Sequence, residues 1–169
     1  MWSRKYDKSL GWQAQREREL GAKFRKAKVL TCSDLAQVVE WKFKDEPEKK
    51  ARSLPLVARN DEATINRLSG QALSIPSCED AYRMNCLTLL EGINPVLASV
   101  ILTFFDPEQY CILDPAVWKA LLGNPPAGLL TTQNYLKLLE AIRKTAAKQK
   151  LDVRIIDKAL YKKSLDESK

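Results

Sequence analysis

The chain has 169 residues, 45% hydrophobic and 29% charged, with six glycines and eight prolines; that is the make-up of an ordinary folded domain, not of a fibrous or low-complexity polymer. It contains no histidine, and its four cysteines (Cys32, Cys78, Cys86 and Cys111) show no C-x-x-C spacing. This excludes imidazole acid–base chemistry, Ser-His-Asp and Cys-His nucleophiles and His-ligated zinc, and argues against an iron–sulfur centre.

Glycine-rich phosphate cradles are also missing, so any chemistry must rest on carboxylates, lysines, hydroxyls or backbone amides. The longest apolar stretch, Val96 to Phe105, is about half of the roughly twenty residues that a membrane helix needs. With no apolar run behind the first charges, no secretion signal is expected. Reduced thiols and a cytoplasmic location follow, near the nucleoid if the source is bacterial.

The net charge of +7 is uneven. Residues 1–60 carry fifteen Lys and Arg against eight Asp and Glu, residues 61–130 three against eight, and residues 131–169 ten against five. Basic flanks around an acidic centre suit a polyanionic partner, although solvated helix faces give the same pattern.

Gly11 to Lys28 reads as a surface helix with Trp12, Leu20 and Phe24 at helical intervals and a break at Gly21. Thr31 and Asp34 form a capping box before a helix with Leu35, Val38, Val39 and Lys42 on one stripe. Asp45 to Leu56, with two prolines and a block of charge, is expected to be a loop. Asn60 is the expected cap of a helix from Asp61 to about Leu73. Ser77-x-x-Asp80 opens another, with Tyr82, Cys86, Leu89 and Leu90 inward.

Glu91-Gly92-Ile93-Asn94 is a tight turn, and Pro95 suits the first position of the next helix. That helix buries Leu97, Val100, Ile101 and Phe104 and stops at Asp106-Pro107. An apolar connector, Tyr110 to Leu113, leads to Asp114-Pro115, which opens a short helix with Val117, Trp118 and Leu121 inward. Thr132 to Lys148 is amphipathic around Tyr135, Leu138, Leu139 and Ile142. Asp152 caps the last helix, with Ile155, Ile156, Ala159 and Leu160 on its inner side. No period-2 pattern appears, so the expected fold is all-α, with seven to nine helices in one domain spanning 1–169.

The informative stretch is Leu89-Leu90-Glu91-Gly92-Ile93-Asn94-Pro95-Val96, followed after a loop by Tyr110-Cys111-Ile112-Leu113-Asp114-Pro115. A turn between two apolar helices leaves amide N–H groups free at the start of the second helix, where a phosphate can sit without any Lys or Arg. Asn94, which tolerates left-handed backbone, would keep the turn tight.

These residues resemble the helix-hairpin-helix DNA glycosylase superfamily over about thirty-five positions, Leu87 to Leu122. The Tyr110–Asp114 stretch is similar to its adenine-mismatch branch. Trp41-Lys42 and Ile156-Asp157-Lys158-Ala159-Leu160-Tyr161 are similar to a small bacterial branch without an iron–sulfur cluster.

The resemblance implies a two-lobed helical bundle with its hairpin at 87–105, an Asp-capped helix at 114–122 and basic helices at 11–44 and 132–164 on the flanks. It implies DNA as partner, no resident cofactor beyond a monovalent cation at the hairpin, and phosphate binding by the amides of Gly92, Asn94 and Val96. Asp114 matches the catalytic aspartate, whose carboxylate steadies the sugar cation as the glycosidic bond breaks. Capping its own helix would explain Asp114 equally well.

Val96 stands where bifunctional members carry a Schiff-base lysine, so the expected enzyme releases a base without cutting the strand. Lys42 could substitute from elsewhere in the fold, but a lysine following Trp41 is expected to be a solvated helix residue. Trp41, Lys42, Tyr110 and Trp118 are the candidates for a base pocket or its rim, with Phe43 and Trp12 as further stacking aromatics, though each aromatic also suits plain packing. Lys23–Lys28 and Lys144–Lys150 could follow a strand backbone. The alternatives are a non-catalytic DNA-binding module and a helical interaction protein whose hairpin serves only packing.

Overall fold

A computed structural model describes residues 11–75 and 79–167. Among the described residues there are nine helices and no strand: α1 (Gly11–Ala27), α2 (Cys32–Lys42), α3 (Pro47–Val57), α4 (Glu62–Ser74), α5 (Asp80–Thr88), α6 (Pro95–Phe105), α7 (Pro115–Leu122), α8 (Thr132–Gln149) and α9 (Val153–Glu167). None of these helices is long and apolar enough to cross a membrane. The all-α expectation is met at the upper end of its helix count.

Helix α6 is the structural axis. Its sequence is apolar all round, and every residue from Val96 to Phe104 is buried, as a helix covered on all sides must be. Helix α1 lies along it, and α2, α5 and α8 close its other sides. The close approach of α1 depends on Gly21, where a Cβ would stand 2.6 Å from the Phe104 carbonyl oxygen. Gly21 is thus a packing residue in a continuous helix, not the break that was expected. Phe24, Trp41 and Phe104 meet at this crossing, with Trp41 edge-on to Phe104 at 4.8 Å between ring centres.

Several local expectations hold at atomic detail. Thr31 and Asp34 form a reciprocal capping box on α2, Pro95 is the first residue of α6, and Asp114 caps α7. Tyr135, Leu138, Leu139 and Ile142 of α8 are buried. Cys32, Cys86 and Cys111 are free thiols. Ser77 and Cys78 lie outside the described residues.

Other expectations are corrected. The segment expected as a loop from Asp45 to Leu56 contains α3, which starts at Pro47 and carries Pro55 inside it. Proline at the first helical position costs no hydrogen bond, and Val57 anchors the far end in the core. The cap of α4 is Asp61, which accepts from the Thr64 amide, and not Asn60. On α5, Tyr82 and Leu89 face out while Arg83, Met84, Cys86 and Leu87 are buried. On α9 the buried face is Val153, Arg154, Ile156 and Asp157; it is turned from the apolar stripe because charged partners wait inside.

Candidate functional site

Asp114 and Lys42 are 72 positions apart in sequence and 3.0 Å apart in space, between Asp114 Oδ2 and Lys42 Nζ. Local rules place each side chain. Asp114 is the N-cap of α7 and spends Oδ1 on the Ala116 amide at 2.9 Å, so its second oxygen points away from the helix. Lys42 ends α2. Trp41 just before it is locked inside: its indole N–H donates to the Gln13 carbonyl at 2.8 Å, and the Gln13 amide donates to the Trp41 carbonyl at 3.0 Å. Fixing Trp41 inward turns Lys42 to the rim. A carboxylate at a helix start thus faces an ammonium at a helix end, and both helix dipoles favour the arrangement.

The connector before Asp114 is equally constrained. Tyr110, Cys111, Ile112 and Leu113 are all buried, and buried amides need acceptors. Ile112 donates to Asp157 Oδ2 at 3.1 Å and Leu113 to Ser99 Oγ at 2.9 Å. Ser99 in turn donates to the Val96 carbonyl at 2.6 Å. One hydroxyl therefore ties the first turn of α6 to the residue preceding Asp114.

The pair stands between two cavities. The larger, of about 440 Å³, is walled by Trp41, Ile112, Asp114, Arg154, Asp157 and Tyr161, with Lys44 and Lys162 at its edge. The smaller, of about 310 Å³, is lined by Phe43, Lys49, Arg52, Asn94, Val96 and Leu130. Lys42, Glu46 and Asp114 line both. Both volumes fall within the range of small-molecule sites, roughly 300–1,000 Å³. Side-chain exposure of 17% for Lys42 and 15% for Asp114 leaves the pair accessible but sheltered, and Lys42 is not the solvated residue its sequence context suggests.

Behind the larger cavity lies a buried charge network. Arg154 donates to Glu17 at 2.8 and 3.0 Å and to Asp157 at 2.5 Å, and Lys158 reaches Glu17 at 3.3 Å. Burial pushes the Glu17 carboxyl up, but Arg154 and Lys158 together bring it below its usual range. For Asp157 burial prevails over Arg154 and the Ile112 amide, so its carboxyl is raised. Burial, followed by the charge of Asp114, also raises the Tyr161 phenol, which keeps its proton. Arg154 additionally lies over the Trp41 ring, at 5.9 Å from its centre.

The other expected site residues fall elsewhere. Tyr110 donates to Asp80 at 2.9 Å under Arg143, and Trp118 is packed in the core; neither lines the two cavities. Trp12 is exposed, and Phe43 is buried with Lys49 over its ring. Of the basic stretches, Lys23 is paired with Asp34 and Lys144 with Glu140.

At the α5–α6 turn, Gly92 has φ +78°, and a Cβ there would stand 2.9 Å from the Val57 amide nitrogen. One side of the turn is therefore closed by α3. Asn60 clamps it further, accepting from the Glu91 amide and donating to the Glu91 carbonyl. Asn94 is extended, not left-handed, and its side chain caps the Leu97 amide. Pro95 has no N–H and the Leu97 amide is capped, so the Val96 amide is the first-turn donor left; Val96 lines the smaller cavity, as do Lys49 and Arg52.

Sequence reasoning missed Glu17, Ser99 and Arg154 as supports of this site. Glu17 and Ser99 stand at positions that helical periodicity makes inward-facing, whereas Arg154 lies off the apolar stripe of its helix and left no signal. Among the described residues no cluster of metal-binding side chains occurs. No family model, curated protein or solved structure compared with this chain matches it.

Proposed function

We propose that this protein is a DNA glycosylase that hydrolyses the N-glycosidic bond of a damaged, mismatched or modified base. The observation that carries the reading is the Asp114 carboxylate, held by its own helix cap and by Lys42 at the junction of two cavities. A base turned out of the duplex needs an enclosed pocket with an aromatic wall, and the larger cavity offers one against Trp41. As the bond to the base breaks, positive charge grows at C1′ of the sugar. A fixed carboxylate in a sheltered site stabilises that charge far better than water does. The strand's phosphate has the smaller cavity, whose lining includes Lys49, Arg52 and Val96.

The test is a panel of duplexes carrying uracil, 8-oxoguanine, alkylated purines or an adenine–oxoguanine mismatch, followed by hot alkali to cut abasic sites. Base release from at least one duplex is expected, and Asp114→Asn lowers its rate by about 10²–10³-fold. A second reading, a non-catalytic DNA-binding module, is favoured by the fact that both Asp114 oxygens are already engaged. Salt-sensitive binding with no release from any duplex selects that module. Absence of salt-sensitive binding overturns both readings.

A further inference from the structure

Tryptophan is on average a highly buried residue, and Trp41 and Trp118 follow that rule at 3% and 6% exposure. Trp12 departs from it, at 45%. We propose that Trp12 is a stacking platform for an unpaired nucleotide, so that this protein engages DNA where a single strand adjoins the site. The proposal rests on the reading of DNA as the partner, and adds to it the kind of strand that is recognised.

Local structure holds the ring at the mouth of the larger cavity. Trp12 stands in the first turn of α1. Its neighbour Gln13 is bound to Trp41 through both its carbonyl and its side-chain amide. Successive helical residues point about 100° apart, so fixing Gln13 toward Trp41 leaves Trp12 outward. Gln13 and Lys44 both line the larger cavity. Two cations attend the ring: the Lys44 ammonium lies 5.8 Å from its centre and the Arg16 guanidinium 5.9 Å.

This combination fits an unpaired nucleotide better than a duplex. A base inside a duplex has its faces covered by its neighbours, whereas an unpaired base can lay a face on an aromatic ring. Arg16 is tied to Glu19 and Gln37 at 3.4 Å each. Lys44 is exposed and carries its charge on a flexible stem. It can leave the ring for the phosphate as the base takes its place. Charge alone does not single out this rim, because Asp45 and Glu46 line the same cavity as Lys44. The open ring does.

The test uses the whole chain and one unmodified duplex, either blunt or extended by a short run of unpaired thymidines at its 5′ or its 3′ end. Binding is followed at fixed salt by anisotropy of a label on the DNA, and stacking by tryptophan emission. One extended duplex should bind about 5- to 150-fold more tightly than the blunt one, the factor that stacking a single base supplies, and should quench the emission. Trp12→Ala should bring the extended duplex down to the affinity of the blunt one. Trp12→Phe, which keeps a ring, should retain most of the gain and lose the quench.

Equal binding of blunt and extended duplexes, or a gain that survives Trp12→Ala, overturns the proposal and leaves the DNA reading standing. A quench that persists in Trp12→Phe puts the strand on another tryptophan and overturns it as well. Absence of salt-sensitive binding to every duplex defeats the DNA reading and the platform together. The blunt-against-extended comparison is made on the wild-type protein, and so holds even if a variant fails to fold.

Discussion

Two carboxylate–cation assemblies flank the larger cavity, and they are built in opposite ways. Arg154 is enclosed: its guanidinium joins Glu17 to Asp157, with side-chain exposures of 6%, 10% and 1%. It links α1 to α9, and through Asp157 it supports the connector at Ile112. The Lys42–Asp114 pair is a single contact on the cavity surface, open on two sides. A planar guanidinium can hold two carboxylates in a fixed geometry, whereas an ammonium on a flexible stem can let go of one. The comparison teaches that the rigid assembly positions the connector, whereas the simple pair stays accessible from both cavities.

The largest effect that would sharpen this contrast is loss of the buried cation. Arg154→Met leaves the buried Asp157 without its cation and Glu17 with Lys158 alone, and removing one partner of a buried pair costs about 3–5 kcal/mol. Urea unfolding should show the midpoint falling accordingly. A loss under about 1 kcal/mol, the range of surface ion pairs, would break the comparison.

Lys42→Met is the matched experiment. Its pair is partly exposed and Asp114 keeps its cap, so the expected loss of stability is only about 1 kcal/mol, measured in the same titration. A loss as large as that of Arg154→Met would make Lys42 a structural residue.

The smallest effect is one of pH. Burial raises the Asp80 carboxyl, but hydrogen bonds from Arg143 and Tyr110 outweigh it, and the net shift is downward. Asp80 therefore adds stability above its unfolded value of about 3.9, and that stability is lost as pH falls through the lower, folded value. Glu17, also lowered, has the same sign. Asp157 is raised by burial and has the opposite sign: its protonation on acidification relieves the folded state. Asp80→Asn should flatten the fall of a stability–pH curve below about pH 4, whereas Asp157→Asn should steepen the curve above about pH 4, between the unfolded and the raised folded value. Identical acid limbs for the two variants would remove the distinction between them.

Much of the fold was legible in the sequence because its signals are local. Capping residues, Pro95 and Pro115 at helix starts, and the repeats of Leu35-Val38-Val39 and Leu138-Leu139-Ile142 report directly on backbone state. The failures share a cause. Helix α3 was hidden by Pro47 and Pro55, which read as breakers unless their positions in the helix are known. The inward turn of α9 was hidden because Arg154 and Asp157 are polar, and a hydrophobicity pattern assigns polar groups to solvent. Their burial makes sense only once Glu17, 137 positions from Arg154, is brought alongside.

For the site, the sequence by itself determined that Asp114 starts a helix and that the segment before α6 turns sharply at Gly92, since caps and positive φ are properties of a few adjacent residues. Only the tertiary structure decided that Tyr110 and Trp118 support the core instead of lining the cavities, that α3 covers one side of the turn, and that Lys42 meets Asp114. Those outcomes depend on how the helices pack, and packing brings together residues whose separation along the chain carries no trace of their contact.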